Sequence, residues 1–304
     1  MAVKEIIELA RPRHWIKNVV VLFPLVFGMR MSDPYAWASA LLAAAAFCFV
    51  SSFAYIINDI QDADSDRSHP NKKNRPLASG RVSVASASVW AVLFLVAGLI
   101  LALGISSFFL IIIVAVYALL QLGYTFVFKR VVLIDVICIA LGFVLRAVAG
   151  AVAIKVAISP WLFICMFTFC LFVGFCKRYN ELVTIGDMDM ARNHRNTLIS
   201  YSPELLTHLI TISAGIAVVA FLLYGVNDRT VANFGTNYFI YTLPVVIYGV
   251  FRFAMLSMNG SYADPTDLIL RDRPFQITVL LWIISVVAII RWGRDIEAWL
   301  GQVQ

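Results

Sequence analysis

The sequence predicts an all-α, polytopic membrane protein with about nine spans, and three observations predict it. Hydrophobic residues make up 61% of the 304 positions and charged residues only 14%, with a mean hydropathy of +0.86. That balance lies outside soluble globular domains. Apolar runs close to the roughly 20 residues that a helix needs to cross a bilayer recur along the chain. Lys and Arg are distributed unevenly between the connections: of 24, eighteen fall on the side of the N-terminus, five (Arg30, Lys155, Arg229, Arg291 and Arg294) on the other, and Arg146 inside a span. This bias predicts a multi-pass protein of the inner (cytoplasmic) cell membrane with its N-terminus in the cytoplasm and its C-terminus outside.

In order, spans are expected at about 18–30, 36–58, 84–104, 106–128, 132–154, 158–176, 206–226, 236–257 and 275–293, the first being short. Ahead of them, AVKEIIELARPRHWIKN is amphipathic and charged, unlike a cleavable signal peptide. Within it, Arg11, Arg13 and Lys17 flank Trp15. They form an interfacial anchor or, in the other reading, Lys17 and Asn18 face a cytoplasmic cavity.

The second span runs into the densest polar stretch of the chain, NDIQDADSDRSHPNKKNRPLASGR, from Asn58 to Arg81. Continued as a helix turning 100° per residue, it puts Asp59, Asp62 and Asp66 within roughly 60° of one another and turns Asp64 away. Carboxylates crowded on one face repel unless a cation sits among them. A hard divalent ion, Mg²⁺, suits oxygen ligands of this kind, which makes Asp59, Asp62 and Asp66 the candidate metal-binding and catalytic residues. Their substitution is expected to spare folding. A solvated acidic helix end is the plain alternative. A calcium loop is excluded, because Arg67 and Lys73 stand where its turn glycine and bidentate glutamate belong. The basic residues that follow, including Lys72, Lys73 and Arg75, suit the free oxygens of an Mg²⁺-diphosphate.

Other cytoplasmic joints repeat the theme. GYTFVFKRVVLIDV offers Tyr124, Lys129 and Arg130, and Asp135 enters the next span ahead of Arg146. An ionisable group at that depth needs a cavity or a partner helix. The sixth span ends in KRYNE, with Lys177, Arg178, Tyr179 and Glu181, and Lys177 and Glu181 share a helix face. Asp187 and Asp189 follow, and the last joint carries DLILRDR. The external connections are short and bland, so the active site is expected to face the cytoplasm. The five cysteines lie in apolar spans without ligand spacing, and the four histidines form no pair. A net charge of +6 arises from these joints and calls for no nucleic-acid partner.

Asn58, Asp59, Asp62 and Asp66 match, position for position, the N-D-x-x-D-x-x-x-D motif of the UbiA superfamily of intramembrane prenyltransferases, and RPLASG (Arg75 to Gly80) matches as well. The chain resembles that family over essentially its whole length. The resemblance implies one transmembrane domain over 1–304, a bundle of nine helices around a central cavity, and Mg²⁺ bridging the aspartates to a diphosphate. The family's second aspartate-rich motif is replaced here by KRYNE. With RPRHWIKN, LRAVAGAVAIK and DLILRDR, this makes the chain similar to the decaprenyl-phosphate phosphoribosyltransferase branch.

That branch implies transfer of 5-phosphoribosyl from phosphoribosyl pyrophosphate (PRPP) to a polyprenyl phosphate, releasing pyrophosphate, toward a lipid-linked arabinose donor. Lys17, Asn58, Lys73, Arg75, Tyr124, Lys129, Arg146, Lys177, Arg178, Tyr179 and Glu181 are then candidates for substrate binding. Three anionic groups must be held, which Lys177 and Arg178 suit better than a second carboxylate cluster. Membrane lipid surrounds the protein, and a homo-oligomer stays open. The rival readings are prenyl transfer onto an aromatic acceptor, such as 4-hydroxybenzoate, and transport. Transport is disfavoured because most charges lie at the interface and no internal repeat is visible.

Overall fold

The computed structural model describes residues 3–67, 72–105, 107–185, 198, 200–262 and 265–303. Secondary structure among them is helical throughout, and the chain divides into two compact units, Met1–Ile158 and Ser159–Gln304. Eight helices among the described residues are long and apolar enough to cross a membrane.

The first unit opens with the amphipathic helix α1 (Val3–Ala10), followed by an eleven-residue 3-10 helix, Pro12–Leu22, and the short α2 (Phe23–Phe27). Prolines near the start of the last two remove amide donors that no turn would satisfy. The expected span at 18–30 is therefore 3-10 helical up to Leu22 and α-helical only over Phe23–Phe27. Rises of about 2.0 Å and 1.5 Å per residue give the 16 residues of the two helices, Pro12–Leu22 and Phe23–Phe27, roughly 30 Å of length, near the thickness of the hydrocarbon layer.

Next come α3 (Pro34–Arg67), α4 (Val84–Leu103), α5 (Phe108–Phe126), a 3-10 turn at Phe128–Arg130 and α6 (Ile134–Ala153). Helix α3 continues nine residues past the expected span end, so the whole acidic motif is helical. The core of this unit joins Phe47, Val50 and Ile56 of α3 to Ala87 and Ala91 of α4 and Leu110, Val114 and Tyr117 of α5. Small residues set the closest approaches, as is usual between membrane helices. A Cβ on Gly98 of α4 would stand 3.0 Å from the Ala46 carbonyl oxygen of α3. One on Gly150 of α6 would stand 1.9 Å from the Val21 carbonyl oxygen.

The second unit holds α7 (Pro160–Ile185), α8 (Pro203–Val226), α9 (Asp228–Phe234), a 3-10 turn at Tyr238–Thr242, α10 (Leu243–Met258), α11 (Pro265–Arg271) and α12 (Arg273–Val303). Ser202 caps α8 by accepting from the Leu205 amide. Phe172, Phe253 and Phe275 join α7, α10 and α12 through ring contacts of 5.6 and 5.8 Å between centroids. Like α3, α7 outlasts its expected span, so KRYNE lies on a helix.

Candidate active site

Helix α3 carries the acidic motif toward its C-terminal end. Asp59 and Asp66 are two turns apart, about 20° from one another in azimuth, and both are buried. The loop that follows returns a single cation to both: Arg75 Nη1 lies 3.2 Å from Asp59 Oδ1 and 2.5 Å from Asp66 Oδ2. Local chemistry of RPLASG explains that aim. Leu77 and Ala78 are buried, and Ser79 donates from both its amide and its hydroxyl to the Arg75 carbonyl. Gly80 turns the chain at φ 74°, a left-handed conformation that favours glycine. Lys72 Nζ adds a longer contact to Asp66, at 3.9 Å.

Asp62, half-exposed on the same helix, is paired differently. Lys129 Nζ from the 3-10 turn stands 2.5 Å from Asp62 Oδ1 and 3.3 Å from Asn58 Oδ1, while the Asn58 amide donates to Asp62 Oδ2 at 3.0 Å. Asn58 thus positions both partners of an ion pair. Asp64 points outward, as its helical phase predicts, with 92% of its side chain exposed against Arg67.

Sequence reasoning missed Arg11. Its guanidinium pairs with Asp59 and lies 5.5 Å from the Tyr55 ring centroid. Its backbone, at φ 51° and ψ 58°, occupies the left-handed position that closes α1, where glycine is the usual residue. Holding a side-chain-bearing residue there costs about 1–3 kcal/mol. The signal available was a basic residue directly before a helix-starting proline, within a segment that must return to the acidic motif.

Of the two readings open for the segment ahead of the first span, one turns Asn18 toward a cytoplasmic cavity; the structure packs it against α3 and α6. It is buried, accepts from Arg146 Nε at 2.7 Å and donates to Cys48 Sγ at 3.3 Å. Arg146 donates further to the Tyr117 hydroxyl at 2.7 Å, the Gly142 carbonyl at 2.8 Å and Ser51 at 3.4 Å, with its guanidinium 4.7 Å from the Tyr117 ring centroid. The structure therefore gives Arg146 four protein partners on α3, α5, α6 and the first 3-10 helix. Asp135 is fully buried in the first turn of α6. Tyr124 and Lys17 are half-buried and Lys73 is exposed.

In the second unit, Arg178 is almost wholly buried and is the residue paired with Glu181. Arg178 reaches Glu181 because i,i+3 neighbours, like the i,i+4 pair Lys177 and Glu181, share a helix face. Asn180 donates to the Tyr262 carbonyl, and Lys177 and Tyr179 are half-buried. Asp187 and Asp189 lie outside the described residues.

The DLILRDR segment has a structural role. Arg252 of α10 grips Asp272 through two bonds of 2.6 and 2.9 Å, while Asp272 caps α12 by accepting from the Phe275 amide at 2.8 Å. The Arg252 hydrogen bond, foremost, holds the Asp272 carboxyl below the usual carboxylate range. A carboxyl lowered in the folded state contributes stability that is present above its unfolded value and is lost as pH falls through its folded one. Asp272→Ala should therefore lower the melting temperature at pH 7, the cap alone contributing about 1 kcal/mol. The gap from wild type should narrow as the pH is taken below about 4, and a gap independent of pH would count against this role.

The carboxylates of α3 fit a hard divalent cation by donor type, and one cationic nitrogen already lies between Asp59 and Asp66. Two carboxylates with phosphate oxygens and waters are a usual complement for Mg²⁺. Among the described residues no three His, Cys, Asp or Glu side chains converge at metal-binding distance. Asp62 is directed to Lys129 instead. The expectation that substitution spares folding also needs correcting for Asp59, which is buried and neutralises two guanidinium groups.

Ionisable residues gathered at the ends of membrane helices mark a functional site. The chain belongs to the UbiA prenyltransferase family, which it matches over residues 21–290. It is 34% identical to the decaprenyl-phosphate phosphoribosyltransferase of Mycolicibacterium smegmatis, over 95% of this chain and 93% of that one. To the protein of the same name from Corynebacterium glutamicum it is 32% identical, over 92% and 85%. Among solved structures, a UbiA homolog from Archaeoglobus fulgidus bound to GPP and Mg²⁺ shares the fold, with a TM-score of 0.69 at 21% identity, covering 94% of this chain and 99% of that one.

Proposed function

We propose that this protein transfers 5-phosphoribosyl from PRPP to a polyprenyl phosphate. The observation that carries the reading is its identity, over nearly the full chain, to decaprenyl-phosphate phosphoribosyltransferases. Replacement of the second aspartate motif by KRYNE supports it against prenyl transfer onto an aromatic ring. A phosphate oxygen of the lipid forms a bond to ribose C1 as the bond from C1 to pyrophosphate breaks. The carbon passes through an oxocarbenium-like state, by analogy with glycoside chemistry.

Asp59 and Asp66, with Asp62 beside them, would hold Mg²⁺, which when bound would supply charge stabilisation for the leaving pyrophosphate. The protein's own groups bind and orient. Arg75 and Lys129, both paired with carboxylates, are the proposed ligands of phosphate oxygens, and their pairing beside Asn58 and the aspartates supports that role. The proposed phosphate contacts extend to Lys17, Lys73, Lys177 and Tyr124. The lipid phosphate is already ionised at neutral pH, so the reaction needs no general base.

Purified protein given labelled PRPP and a polyprenyl phosphate should move label into the organic phase. Prenyl diphosphate with 4-hydroxybenzoate should give no product. Prenylated hydroxybenzoate with no label transferred from PRPP would replace this reading by the aromatic one.

The distribution of basic residues supports a cytoplasmic N-terminus and a site on that side. Reporter fusions near residues 70, 185 and 265 should then report the cytoplasm. A fusion at the C-terminus should report the outside if the 3-10 segment crosses along with the eight longer helices. A cytoplasmic C-terminus would mean that it does not.

A further inference from the structure

We infer that Arg11 is a diphosphate-binding residue whose present partner, Asp59, is also a metal ligand, so that divalent metal and diphosphate bind this site synergistically. The inference rests on the metal-diphosphate reading above and adds to it a residue and an order of events.

Charge is the first ground. Three carboxylates, Asp59, Asp62 and Asp66, face four basic side chains, Arg11, Arg75, Lys72 and Lys129. The acidic face is thus already neutralised by the protein. A divalent cation arriving alone must compete with guanidinium and ammonium groups for buried oxygens, and it leaves those groups without a counter-ion. Arriving with a diphosphate, it brings the oxygens that the released groups need. Each ligand then raises the affinity of the other by the same factor, as linkage requires.

Geometry singles out Arg11 as the group that transfers. Arg75 bridges two carboxylates and is aimed by a compact turn, whereas Arg11 has, among the described residues, one ion pair at the end of a flexible side chain. Its backbone is fixed on both sides. Ser52 donates to the Ala10 carbonyl at 2.8 Å, and the Trp15 indole donates to Ser52 at 3.1 Å. Glu8, one turn earlier on α1, meets Arg81 of the loop after the acidic motif at 2.8 Å. The side chain can therefore change partner while the turn that carries it stays in place. An arginine where the backbone favours glycine is the kind of local conflict that functional positions tolerate.

That conflict supplies a test in which folding and function move apart. Arg11→Gly relieves the left-handed backbone, which offsets part of the cost of losing the Asp59 pair, and Arg75 still meets Asp59, so the variant should fold with only a modest change in melting temperature. Binding is followed with Mn²⁺ by its electron paramagnetic resonance signal and with inorganic pyrophosphate as the second probe, allowing for their complex in solution. In wild type, pyrophosphate should tighten Mn²⁺ binding at least about tenfold, as a coupling of ordinary size gives. In Arg11→Gly, Mn²⁺ alone should bind more tightly and pyrophosphate about 10- to 100-fold more weakly, as expected for one lost bond to a charged group. Arg11→Lys should keep most of the coupling. Unchanged affinities and coupling in Arg11→Gly, with Asp59→Asn losing Mn²⁺, would overturn the inference and leave the metal site standing. Failure of wild type to bind Mn²⁺ with or without pyrophosphate would instead overturn the reading on which it rests.

Discussion

Asp62→Asn should reduce transfer of label from PRPP into lipid by about 10²–10³-fold or more, the range found when one group that stabilises developing charge is removed. Its melting temperature should hardly change, because Asp62 is half-exposed and Asn58 remains to meet Lys129. Asp59→Asn should lose at least as much activity and stability as well. Taking the charge from a buried carboxylate leaves Arg11 and Arg75 short of a counter-ion, and breaking a buried pair costs about 3–5 kcal/mol. Asp64→Asn should leave both nearly untouched, since its side chain stands in the open beside Arg67. Turnover measured at saturating substrate, with a melting curve for each variant, separates the three. Equal damage at Asp64 and Asp62 would break the link between helix face and chemistry.

The second large effect is expected far from the carboxylates. Gly150→Ala places a methyl group 1.9 Å from a backbone oxygen at Val21, and no rotamer change relieves a clash with main chain. The 3-10 helix must move away from α6 or the variant must unfold. Overpacking of this kind costs about 1–3 kcal/mol or more. One turn before it on the same face, Arg146 holds Asn18 of that 3-10 helix, so displacement should also loosen the Arg146 network and shift Arg11. A lower melting temperature together with weaker substrate binding is the expected result. Gly98→Ala, against a carbonyl at 3.0 Å and a Val50 side chain, should be milder in binding because α4 carries none of the proposed ligands.

These expectations show where the sequence was informative. The helical phase of Asp59, Asp62, Asp64 and Asp66 was legible because a 3.6-residue period leaves little choice once the segment continues an apolar span. Eight spans were legible from length and hydropathy alone. The 3-10 character of Pro12–Leu22 was not, since hydropathy does not distinguish one helix type from another and its stability comes from contacts with α3 and α6. Nor were the partners of the carboxylates. Lys129 is 67 residues from Asp62 and Arg11 is 48 from Asp59, and their pairing follows from how helices pack, which spacing does not encode. Arg146 was flagged by depth alone, and depth does not separate a ligand from a network shared with Asn18, Ser51 and Tyr117.

The position of that 3-10 helix also bears on how the chain is made. It contains Arg13, His14 and Lys17 and is too short for an ordinary α-helical membrane span, so it is a poor candidate for recognition during insertion. Among the groups that hold it, Ser52 and Cys48 belong to α3, while Arg146 and the surface at Gly150 belong to α6, which leaves the ribosome after α3, α4 and α5. The N-terminal segment is synthesised first, can meet Ser52 and Cys48 of α3 early, and can complete its contacts with Arg146 only after α6 exists. Completion of the Arg146 contact is then a matter of tertiary packing among finished helices, which ties the final setting of the turn that carries Arg11 to assembly of the first unit.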